Sequence, residues 1–168
     1  VPLMWALEAG TITSVRYLLE QGANPNTRHP RYGSYNTTIY LAAWLNPLML
    51  DILVDFNADL EAKDEAGDTA FLAAMKKQEL DIAGVLLEKG ALINASDNNG
   101  FSALHHVAMR NNHETMTFLL EAGADPNLSD KKGRTALHLL ARFGSKATTN
   151  LLISFGAEID KTDDLCCT

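Results

Sequence analysis

The feature that most constrains this chain is an internal period of about 33 residues. Gly-Ala-Asn at position 22, Asn-Ala-Asp at 57, Gly-Ala-Leu at 90, Gly-Ala-Asp at 123 and Gly-Ala-Glu at 156 mark it, at spacings of 35, 33, 33 and 33. An apolar segment precedes each marker: Tyr17-Leu18-Leu19, Ile52-Leu53-Val54, Val85-Leu86-Leu87, Phe118-Leu119-Leu120 and Leu151-Leu152-Ile153. About twelve residues after a marker, Thr or Ser opens another apolar run. Those runs begin Thr37-Thr38-Ile39, Thr69-Ala70-Phe71, Ser102-Ala103-Leu104 and Thr135-Ala136-Leu137. A unit this short cannot cover its own apolar side, so the units must stack on one another. A single closed globule built around one centre is excluded by the same argument.

Each part of the unit has a physical role. The Asp-x-x-Gly turns at Asp64–Gly67, Asp97–Gly100 and Asp130–Gly133 suit a tight hairpin, because Asp bonds the turn backbone and Gly accepts positive φ. Thr69, Ser102 and Thr135 then stand where a hydroxyl caps a helix, and Pro2 occupies a first helical turn. Small residues at Ala6, Ala42, Ala74, Ala108 and Ala141 let a neighbouring unit approach the first helix. The second helix carries the leucine pairs and stops at Gly22, Gly90, Gly123 and Gly156, with Asn57 as the next-best residue for the left-handed stop.

Thr135-Ala136-Leu137-His138-Leu139-Leu140-Ala141 and Gly123-Ala124-Asp125-Pro126-Asn127 resemble the two signature stretches of the ankyrin repeat. The resemblance covers nearly the whole chain, as five units at about 1–31, 32–63, 64–96, 97–129 and 130–162, with 163–168 opening a sixth or a tail. It implies an all-α solenoid of stacked helix–turn–helix units with protruding β-hairpin loops, forming one domain over 1–168. The first unit lacks its leading hairpin and the last lacks a polar cap, which points to a segment of a longer protein. Unit two is irregular. Its hairpin, 27–36, is three residues longer than the others, and its helix–helix turn, Asn46-Pro47, is one residue short.

With 14 basic and 21 acidic residues the net charge is −7, which repels nucleic acid and anionic lipid. Residues 51–68 are rich in acid, whereas 131–146 hold Lys131, Lys132, Arg134, Arg142 and Lys146 with no acid. The most apolar stretch, Ile39 to Leu53, is interrupted by Asn46, Pro47 and Asp51, so direct membrane insertion is not expected. Two adjacent cysteines, Cys166 and Cys167, form no disulfide framework, which fits the reducing cytoplasm or nucleus.

No nucleophile motif, phosphate loop or zinc-like spacing occurs, so no enzyme activity, cofactor or metal is expected. The resemblance gives His105 and His138 a structural role between neighbouring hairpins. It also makes Asn26, Asn94 and Asn127 possible substrates of an asparaginyl hydroxylase, against the simpler reading as turn residues.

The resemblance further implies a concave surface of hairpin tips and first-helix ends that binds a partner protein or peptide. Mapped here, it takes Trp44, Leu45, Asp68 and Lys76, then Phe101, Met109 and Arg110. The last unit adds Lys131, Lys132, Arg134, Arg142 and Phe143. Tyr32 and Tyr35 in the long hairpin are further contact candidates, because aromatic side chains are costly in an idle loop. Trp44, Phe101 and Phe143 serve as apolar anchors, and Lys131, Lys132 and Arg134 select acidic partners. The expected function is a monomeric, non-catalytic interaction module, the adaptor or targeting arm of a larger protein. The alternatives are a substrate-docking or autoinhibitory domain of a ubiquitin-ligase subunit, a kinase or a pathogen effector, or a structural section of a long array.

Overall fold

A computed structural model describes residues 2–28 and 37–165, except the Phe143 side chain. Ten helices lie among the described residues, in five pairs: α1 (Pro2–Glu8) with α2 (Ile12–Glu20), α3 (Thr38–Leu45) with α4 (Pro47–Asp55), and α5 (Ala70–Lys77) with α6 (Leu80–Glu88). The last two pairs are α7 (Ala103–Arg110) with α8 (His113–Glu121), and α9 (Ala136–Phe143) with α10 (Lys146–Ser154). Two compact units divide the chain, one of residues 1–73 and 81–91, the other of 74–80 and 92–168.

In the first unit α1 packs on α2 and α3, while α4 closes on both α2 and α3. Leu3, Met4, Leu7, Ile39, Met49, Leu50, Leu53 and Phe71 are fully buried there. Each such side chain contributes roughly 1.5–3 kcal/mol by leaving water. α1 begins at Pro2, where the missing N–H costs no helical bond. Between α3 and α4 stands Asn46 alone, and its side chain accepts the Leu48 N–H at 3.0 Å, so one residue both ends a helix and caps the next. Arg28 and Thr37, on either side of the expected long hairpin, form an isolated antiparallel bridge. Tyr32 and Tyr35 in that hairpin lie outside the described residues.

The second unit joins α7 to α8 and α9, and α10 to α8 and α9. Its core holds Met75, Leu104, Val107, Ala108, Met116, Leu119 and Leu152. Two residues separate the helices of each pair here, so the one-residue turn of the second repeat is a real local difference. The hairpins are closed by hydrogen bonds and by the isolated bridge Ser96–Ser102, and no extended strand occurs among the described residues.

The caps differ from one repeat to another. Thr37 and Thr69 accept the N–H of Tyr40 and Leu72, each at 3.2 Å, as a capping hydroxyl should. In the two units with histidine at the third helical position, the hydroxyls of Ser102 and Thr135 lie 2.8 Å from Nδ1 of His105 and His138. The same nitrogens accept the backbone N–H of Ser102 and Thr135 at 3.1 Å. Imidazole thus takes the place that Glu or Gln holds in an ordinary capping box.

Of the alanines expected to admit a neighbour, Ala6, Ala42, Ala74 and Ala108 are buried, but Ala141 is exposed. No described helix pair covers that side of α9, so Leu137, Ala141, Ile153 and Ile159 line an open hollow of about 300 Å³ instead. Residues 163–165 lie along the hairpin of the fifth repeat. The Asp164 N–H donates to the Lys132 carbonyl at 3.0 Å, and the Leu165 N–H to Asp163 Oδ1 at 2.8 Å.

Gly100 and Gly123 allow two sources of strain to be separated. Both have positive φ, +83° and +91°, but a Cβ on Gly100 would sit 2.8 Å from the Lys131 nitrogen, whereas one on Gly123 meets nothing within 4 Å. Gly123→Ala is expected to cost about 1 kcal/mol from φ alone, and Gly100→Ala about 2–3 kcal/mol, because backbone must also move. Urea denaturation of the two variants checks the order.

Candidate functional site

In the second unit, buried carboxylates organise the hairpins. Asp97 Oδ1 accepts the N–H of Asn99 at 2.8 Å and of Phe101 at 3.0 Å, which folds the turn over its own side chain. Its Oδ2 faces Lys76 Nζ at 3.2 Å and His106 Nε2 at 3.1 Å. Asp130 repeats the pattern 33 residues later, with Oδ1 accepting from Lys132 at 2.8 Å and Arg134 at 2.9 Å. Arg134 folds back onto Asp130 Oδ2 through Nη2 at 2.6 Å and Nε at 2.9 Å.

Burial tends to raise the pKa of both carboxyls. The hydrogen bonds and cations outweigh it, so each lies below the ordinary carboxylate range: Asp97 through Asn99, Phe101 and Lys76, Asp130 through Arg134 and Lys132.

Phe101 stands at the centre of these groups. Its ring stacks on His105 at 5.6 Å and meets His106 edge-on at 5.5 Å. The Arg134 guanidinium lies 5.6 Å from the ring centroid. The ring is therefore half-buried and held in one orientation, unlike a freely exposed anchor. His105 is fully buried. With Nδ1 accepting from Ser102, Nε2 carries the proton and donates to the Arg134 carbonyl at 2.9 Å, which ties α7 to the following hairpin. Burial pushes the His105 pKa down, against the pull of that hydrogen bond.

Between the hairpins a groove of about 290 Å³ is lined by Asn99, Phe101, Asp130, Lys131, Lys132 and Arg134. Lys131 and Lys132, which line it, are exposed; Arg110, Arg142 and Met109, at the ends of α7 and α9, are exposed as well, Met109 to 39%. Lys76, expected as a surface contact, is mostly covered through its pair with Asp97. The Phe143 side chain lies outside the described residues.

Two residues of the first unit depart from an exposed binding face. Asp68 is only 5% exposed, and its N–H and carbonyl close the hairpin with Asp64, so it does not stand on an exposed face. Trp44 is half-buried and stacks on Tyr40 with ring centroids 4.0 Å apart, so of the two expected contacts at the end of α3 Leu45, 50% exposed, is the more accessible.

Some contacts between repeats escaped sequence reasoning, which read the asparagines as turn residues. Asn26, Asn94 and Asn127 reach the next repeat: their Oδ1 atoms accept the N–H of Asp59 at 2.7 Å, Asp125 at 3.0 Å and Glu158 at 2.8 Å. The 31–33-residue separation of these partners is visible only once repeats are stacked. Asn111 acts in the same way at the helix turns, accepting from Ser145 at 3.0 Å and Thr148 at 2.6 Å.

A family model described as ankyrin repeats, three copies, matches residues 3–97, 39–130 and 92–163. The human transient receptor potential cation channel subfamily A member 1 is 33% identical over 94 residues, 54% of this chain and 8% of its own length. The E3 ubiquitin-protein ligase KEG of Arabidopsis thaliana is 34% identical over 90 residues, 53% of this chain and 6% of its own. The chain thus matches only a small part of these relatives. No described helix is long and apolar enough to cross a membrane.

The lowered His105 pKa sets the sign of a pH effect. Below the unfolded pKa of about 6.5 the unfolded chain takes up a proton that the folded chain refuses, so stability falls as pH drops. Asp97 and Asp130 add a second loss at lower pH, below the unfolded carboxylate value. The urea midpoint of the wild type is expected to fall between pH 7 and pH 5, and His105→Gln to flatten that slope while lowering the midpoint at pH 7. An equal slope in both proteins would assign the effect elsewhere.

Proposed function

The chain belongs to the ankyrin-repeat family, and on that footing we propose that it is a non-catalytic protein-recognition module. The family's repeats are protein-interaction units, and the relatives carry them as parts of much longer proteins. The binding surface is the hairpin and first-helix side of the second unit, around Met109, Arg110, Lys131, Lys132 and Arg142; Leu45 is a separate apolar candidate on the first unit. The observation that carries this reading is the groove beside Phe101, where a fixed aromatic wall lies next to exposed cations. Interfaces draw their energy from such preorganised aromatic and basic groups.

Residues 1–162 form one five-repeat domain in this reading, and 163–165 open a sixth hairpin, since Asp163 accepts the N–H two residues on as Asp97 and Asp130 do. The protein acts as a monomer in the cytoplasm or nucleus. A second reading makes the array a docking or structural section of a longer enzyme or channel, which the names of the two relatives favour.

Met109→Glu combined with Arg110→Ala tests the surface, because both side chains are exposed at the end of α7. Helical circular dichroism and the urea midpoint are expected to stay unchanged, while proteins captured by the wild type lose about tenfold or more in affinity. Equal capture by the double variant would reject this face.

A further inference from the structure

Resting on that reading, we propose that the partner presents an acidic peptide with an apolar side chain to the groove between the hairpins at 97–101 and 130–134. The charge state of the groove carries the argument. Its one carboxylate, Asp130, has a side chain only 1% exposed and is occupied by Arg134 and two backbone N–H groups. Arg134 spends its own charge on that pair, so the floor is electrically neutral. Lys131 and Lys132 at the edge are exposed and enter these hydrogen bonds through their backbone alone, so their ammonium groups face solvent there.

The groove also lies on the basic side of its unit. The last turns of the first helices carry Lys76 and Lys77, Arg110 and Arg142, of which Lys76 is already paired with Asp97. The acids Glu114, Glu121 and Asp125 fall instead on α8 and the loop after it. Asp163 and Asp164 do approach the hairpin, but on its other flank: Lys131 donates its N–H to the Asn99 carbonyl, whereas the Lys132 carbonyl accepts from Asp164.

The apolar requirement follows from Phe101. His105, His106 and Arg134 fix the ring, so an incoming side chain loses no energy in ordering it. A volume of about 290 Å³ takes one or two side chains, not an extended cofactor. A net charge of −7 over the chain opposes RNA or an anionic membrane at long range, while a short acidic segment meets only the local field.

The test uses the full chain, isotope-labelled for amide NMR, and two synthetic probes: a peptide alternating Glu and Leu around one Phe, and its counterpart with Gln for every Glu. The Glu peptide is expected to bind about tenfold tighter at low salt, with the difference shrinking as salt rises. Amide shifts should concentrate at 98–101, 109–110 and 131–134. Lys131→Ala with Lys132→Ala, both exposed and so harmless to folding, should abolish the preference for Glu.

Equal affinity for the two peptides, with shifts still at this groove, overturns the acidic assignment and leaves the recognition surface standing. Absence of shifts here with the Glu peptide also overturns it, and capture by the Met109/Arg110 variant then decides the broader reading separately. Stronger shifts at these amides from single-stranded RNA or anionic vesicles overturn it in favour of a general polyanion site.

Discussion

The rest of the structure depends on the covering of one helix pair by the next. A pair of helices of seven to nine residues has too little surface to enclose its own leucines. In the second unit α7 and α8 lie against α9 and α10, and Val107, Ala108, Met116 and Leu119 are buried as a result. Where no described pair follows, the same kind of surface on α9 and α10 stays open. Several side chains of the hairpins and of the first-helix ends, Lys131, Lys132, Met109 and Arg110 among them, stay exposed beside this stacking.

The hairpins are held by a second device, a carboxylate folded into its own turn. Asp64, Asp97 and Asp130 each accept backbone N–H groups two and four residues ahead. A buried carboxylate needs compensating charge, and the chain supplies it differently in the last two cases: Lys76 serves Asp97, whose Oδ2 also lies 3.1 Å from His106 Nε2, while Arg134 serves Asp130. This explains why counting charges overstates what a partner can meet. Arg134 and Lys76 hold hairpins in place, whereas Lys131 and Lys132 are left to solvent. His105 and the three asparagines reach neighbouring repeats and fix the spacing between loops, so the groove beside Phe101 is built before anything enters it.

Period, helix order and helix stops were legible in the residues themselves, because local physics sets them. Asn57 and Gly123 adopt positive φ at the ends of α4 and α8, as a left-handed stop requires, and Pro2 opens α1. Which side chains remain exposed was not legible, because that depends on contacts separated by tens of residues. The period marks Asp68 as a hairpin residue but not as a buried one, and Trp44 as a helix-end aromatic but not as a partner of Tyr40. Sequence alone therefore determined the repeating helical architecture, since caps, turns and apolar spacing act within a single unit. Only the tertiary structure decided which side chains stay exposed, since ion pairs and ring stacking within and between repeats settle which cations and aromatics are covered.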